Sequence, residues 1–139
     1  MAVDARGRLA VSIYLPEETP LTTFHWDGRQ TAWFGSGNQT GIERFAATSA
    51  TDARVFLSDV LVDTPNEGAV VVISDSITDG NGATVDADTR WPDFLAARLA
   101  PYRIAVLNGG ISGGRLLRDK MGVNVAARLD RAGFAQPNV

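Results

Sequence analysis

The chain predicts an α/β fold with a β-rich stretch ahead of it, and three observations carry that reading. Two short apolar runs, Ala69–Ser74 and Ile104–Leu107, are separated by a segment with helical periodicity. Each run is followed by a polar loop containing glycine. Before position 63 the pattern changes to short β-branched and aromatic runs between turn residues, which is the signature of strands rather than helices.

Leu9, Val11, Ile13 and Leu15 alternate along LAVSIYL, so this run is expected to be a strand, broken afterwards by Pro16 and Pro20. Thr31–Phe34 and Val55–Val62 are expected to be further strands, with Gly35–Gly41 a loop between them. These runs suggest part of a β-sandwich, although three strands alone would leave edges and faces uncovered. Asp63–Gly68 (DTPNEG) is rich in turn residues and reads as a joint. The expected organisation is therefore an accessory β-sandwich-like part over 1–63, a linker at 64–68, and an α/β part over 69–139.

Ala69–Ser74 is continuously apolar, the pattern of a strand covered on both faces of a parallel sheet. Asp75–Arg90 is expected to be a polar loop, with Gly80, Asn81 and Gly82 as breakers. Pro92 suits a first helical residue, and Asp93 suits a first turn, where the helix dipole favours an anion. Trp91, Phe94, Leu95 and Leu99 share one helical face and are expected in the core, with Pro101 ending the helix. Ile104–Leu107 is the second strand, parallel to the first through a right-handed crossover. A glycine loop, Asn108–Gly114, follows, and a last helix is expected from about Val125 to Arg131.

Composition removes several function classes. Of 139 residues, 13 are basic and 16 acidic, and the net charge of −3 provides no basic field for nucleic acid. The absence of cysteine removes thiolate nucleophiles and zinc-finger spacings, and a single histidine removes any two-histidine metal site. No cofactor and no metal are expected. No window approaches the apolar length of a membrane span, and MAVDARGRLAV lacks the apolar core of a signal peptide.

Two loops could carry chemistry. SDSITDG (74–80) follows the first strand, where ligand sites of α/β sheets form. A serine there can combine its hydroxyl with free backbone N–H donors. On spacing alone, an Asx/ST turn built by Asp75, Ser76, Thr78 and Asp79 is the simpler reading. NGGISGG (108–114) lets backbone approach a ligand closely. It is not a phosphate loop, because Arg115-Leu116 stands where Lys-Ser/Thr is required. A tight strand-to-helix turn accounts for it equally well. Asp79, Asp86 and Asp88 are expected in a solvated loop, Arg90 at the surface or behind the site, and Arg115 in a salt bridge at a helix start.

Taken together, VVVISDSITDG (70–80), RWPDFLAARL (90–99) and NGGISGG (108–114) resemble the opening blocks of the SGNH/GDSL hydrolases, a family of serine esterases and acylhydrolases. The resemblance covers about residues 68–139 and implies a three-layer α/β/α parallel-sheet domain. It implies that Ser76 is the nucleophile and that the Gly113 N–H joins that of Ser76 in an oxyanion hole. Asp75 would orient the loop, and Asn108, heading the glycine block, would support it. LAVSIYLPEET and FHWDGRQTAWF resemble the end of the β-sandwich that precedes the hydrolase in two-domain members. Short-acyl or acetyl esters, acetylated carbohydrates among them, are the implied substrates, and a secreted or periplasmic location is implied.

Ser74 stands where the family's first block has glycine, and neither the G-x-N-D block nor the D-x-x-H block occurs. His25 lies in the β half between Phe24 and Trp26 and reads as a packed or surface residue, not as the base. The histidine, its aspartate and the oxyanion asparagine are therefore expected on a C-terminal segment or companion chain. Without them the chain should be close to inactive. Losing one oxyanion donor costs roughly 10²–10³ in rate, and losing the base costs on the order of 10⁴–10⁶. Two alternatives belong to other classes. One is a non-catalytic carbohydrate-binding or interaction module using Tyr14, Trp26 and Trp33. The other is an inactive hydrolase-like fragment that folds by pairing with itself or another chain.

Overall fold

The computed structural model describes residue 4 and residues 6–65 and 67–139. Positions 1–3, 5 and 66, part of the expected first segment and linker, lie outside the described residues. The architecture is mixed α/β, with one antiparallel and one parallel pair of strands.

Strands β1 (Ala32–Phe34) and β2 (Ser49–Thr51) pair antiparallel, with Trp33 opposite Ala50. The Gly35–Gly41 stretch lies in the irregular connection between them. A single antiparallel bridge joins His25 to Arg54. Leu9–Leu15 and Val55–Val62 are not strands, contrary to their alternation. A strand is defined by a hydrogen-bonded neighbour, and neither run has one among the described residues.

Strand β3 (Gly68–Val72) pairs parallel with β4 (Ile104–Asn108), and Val70 is in register with Val106. Between them run α1 (Ser76–Asp79) and α2 (Trp91–Leu99). The single turn of α1 interrupts what the sequence presented as a continuous polar loop. Helix α2 ends at Leu99, just ahead of Pro101, and the chain passes on through a 3-10 turn, Ala100–Tyr102. Proline is tolerated there because the first N–H groups of a helical turn need no intrahelical acceptor. Helix α3 (Val125–Leu129) is capped by Asn124 and continues into one π turn, Asp130–Phe134.

The expected apolar core is corrected. No large apolar side chain is fully buried among the described residues; the buried polar set is Asp27, Thr78, Asp79, Ser112 and Arg128. Trp91 and Phe94 are exposed, while Leu95 and Leu99 are half-buried. Val70, central in β3, is also exposed, so β3 is not covered on both faces. A two-stranded sheet has too little surface to shield both its own faces and the helices lying on it.

Candidate active site

The two glycine-bearing loops leave the carboxyl ends of adjacent parallel strands and meet. The Ile111 N–H donates to the Ser74 carbonyl at 3.1 Å, and the Gly109 N–H donates to the Val72 carbonyl at 2.8 Å. Gly110 lies so close to α1 that a Cβ there would clash with the Asp79 backbone. Only glycine permits that approach. Asn108 extends the seam: its Nδ2 donates to the Thr78 carbonyl at 2.7 Å, and its Oδ1 accepts from the Gly110 N–H at 2.9 Å.

Ser76 opens α1, and Asp75 is the N-cap, its Oδ1 accepting from the Ile77 N–H at 3.0 Å. That bond engages Asp75 in shaping the turn. The Ser76 hydroxyl makes no hydrogen bond among the described residues, and its own N–H has no acceptor there. The Gly113 N–H likewise has no acceptor among them. Gly113 has φ +72°, and a Cβ on it would meet Met121. Its neighbour Gly114 rests on the serine loop, where a Cβ would lie 3.8 Å from the Asp75 Cα. Ser76 and Gly113 thus stand on joined loops, each with an uncommitted backbone donor.

Arg128 was not singled out by sequence reasoning, yet it ties these loops together. Its side chain is 3 % exposed; Nη1 donates to the Gly109 carbonyl at 2.6 Å and Nη2 to the Ser74 carbonyl at 3.2 Å. Burial lowers the guanidinium pKa from its ordinary value, Arg131 adds to that, and Asp79 opposes it. An arginine on a short, otherwise apolar helix reads as its solvent-facing residue and gives no sequence signal of this role.

The acidic residues divide into two environments, which corrects the single solvated cluster. Asp86 and Asp88 are on the outside: Asp86 accepts from the Thr31 N–H and hydroxyl at 2.7 and 2.6 Å, and Asp88 pairs with Arg8 at 2.7 Å. Asp79 is 2 % exposed. Its Oδ1 lies 2.7 Å from His25 Nε2, and its Oδ2 accepts from the Ser112 N–H at 2.8 Å. Burial pushes the Asp79 carboxyl up, but the contacts from His25 and Ser112 outweigh it and hold the pKa below the ordinary value. Asp27, equally buried, pairs with Arg29 at 2.5 Å and accepts from Asn81 at 3.0 Å.

His25 is therefore not confined to the β half. It reaches across to α1, the helix that Ser76 begins. Its ring contacts Asp79 and makes no hydrogen bond to a serine hydroxyl among the described residues. Arg90 has its stem folded over Gly80 and its Nε 3.6 Å from Asp93. Arg115 is exposed and makes no salt bridge among the described residues. No group of three or more metal-ligating side chains occurs among the described residues. No family model matches the chain, and a search of curated proteins returns no match.

Proposed function

We propose that the chain carries the nucleophile and oxyanion part of a serine carboxylester hydrolase of the SGNH type, acting through an acyl-serine intermediate. The observation that supports this most is the free Ser76 hydroxyl on a capped turn, joined to a glycine loop whose Gly113 N–H is also uncommitted. In the reaction, Ser76 Oγ bonds to the ester carbonyl carbon and its proton passes to a base. The carbonyl oxygen becomes an anion held by the Ser76 and Gly113 N–H groups. The alcohol departs with that proton, and water then releases the acid and restores the serine.

The base is the component this chain does not provide. Its single histidine faces Asp79. The reading therefore assigns the base, its aspartate and a third oxyanion donor to other polypeptide, continuous with this chain or paired with it. Short-acyl esters are the substrates it assigns.

Trapping tests the reading. After prolonged incubation with a nitrophenyl acetate, imidazole standing in for the missing base, and an acid quench, peptide mapping should find acetyl on Ser76, and none there in Ser76→Ala. Acetylation confined to other residues would contradict it.

A further inference from the structure

A cleft of about 490 Å³ opens between the β half and the glycine loop, within the roughly 300–1,000 Å³ usual for small-ligand sites. One wall is the Thr23–Trp26 segment with Phe56 and Leu57; the other is Ile111 and Ser112 with Met121–Val123. Met121 is also the side chain that a Cβ on Gly113 would strike, so the cleft adjoins the proposed oxyanion loop. His25, on the first wall, reaches Asp79, and Asp79 is on the same helical turn as Ser76.

The lining states what the cleft would accept. Phe24, Trp26, Phe56, Ile111, Met121 and Val123 offer apolar surface. Three of its polar side chains are engaged: His25 contacts Asp79, Arg54 donates to Gln30 at 3.3 Å, and Ser112 donates to Asp27 at 3.4 Å; the Thr23 and Ser58 hydroxyls are the remaining ones. A sugar needs several free donors and acceptors beside an aromatic face, and few remain here. An acetyl group would fill a small fraction of the volume.

We propose that this cleft binds an apolar group of aromatic size, carried by the ester whose carbonyl is attacked at Ser76, so that the β half sets substrate choice. The assignment of the ester rests on the reading of Ser76 given above. Binding of the apolar group does not, and the test exploits that difference.

The probe is prodan, a naphthyl ketone whose emission shifts when it leaves water, titrated into the full chain. Saturable binding of one probe per chain is expected. Val123→Asp, which puts a charge in the cleft, should weaken it on the order of tenfold, about 1.4 kcal/mol. Leu117→Asp changes an apolar residue that is 79 % exposed outside the cleft and should leave binding intact. Non-saturable binding, equal weakening by both substitutions, or stronger competition by xylose tetraacetate than by methyl naphthoate would overturn the proposal. Circular dichroism of both variants separates local effects from unfolding. Prodan binding without acylation of Ser76 even when imidazole is supplied would count against the esterase reading and leave the cleft standing.

Discussion

Arg128 shows how a single side chain can hold a site that depends on backbone. Its two donors satisfy carbonyls on separate loops, while Asp79 acts on it only through its field. Replacement by methionine keeps the packing but strands both carbonyls, each at a cost of about 1–3 kcal/mol, offset by release of the buried charge. Arg128→Met should therefore lower stability by about 1–3 kcal/mol in urea titration. Lysine should not rescue it, since one ammonium lacks the planar fork that spans two acceptors. Full stability in either variant would show that the strap is incidental. At this scale the sequence was informative where chemistry is local: Asp75 beside Ser76 reads as part of an Asx/ST turn, and its carboxylate caps that turn. It was silent on Arg128 and on His25–Asp79, whose partners are distant in the chain and meet only through the fold.

At the scale of elements, the contact between α1 and the 25–29 segment is electrostatic. Asp79 is held below the usual carboxylate range in the folded chain, whereas in the unfolded chain it titrates near about 3.9. On acidification the unfolded state takes up this proton first, so stability is lost as pH falls from near that value through the folded one. Asp79→Asn should flatten this part of the acid limb in thermal melts between pH 5 and pH 2 (roughly, from the unfolded value). An unchanged acid limb would mean that the Asp79 contacts do not favour its ionised form. The parallel pair was legible because two continuous apolar runs around a helical pattern leave few other arrangements. Leu9–Leu15 misled because alternation marks a half-buried surface, and strand formation also needs a neighbour to accept its hydrogen bonds.

Across the whole molecule, burial is inverted from the usual pattern: the best-hidden side chains are polar, and many large apolar ones face outward. Leu61 and Ile77 are each 74 % exposed, and Phe134 is 71 % exposed. Such surface is ordinarily covered, which accords with the proposal that other polypeptide completes the fold. Sedimentation equilibrium of the isolated chain should give an average mass above 14.8 kDa. A single species at that mass across a wide concentration range would contradict the expectation of pairing. Composition and pattern suggest two parts, but they do not show the contact between the 25–29 segment and the loops around α1. It runs through Asp27, Asp79, His25 and Ser112, polar residues that in sequence look like turn formers and an isolated histidine.

On the proposal made here, Ser76 is a nucleophile whose base comes from other polypeptide. Phosphonylation by a fluorophosphonate probe, followed by intact mass and peptide mapping, tests it most directly when run with and without added imidazole. Slow labelling that imidazole accelerates, mapping to Ser76 and vanishing in Ser76→Ala, is the predicted result. Rapid stoichiometric labelling of Ser76 without imidazole would contradict the need for an outside base, and labelling absent from Ser76 under both conditions would contradict its role as nucleophile.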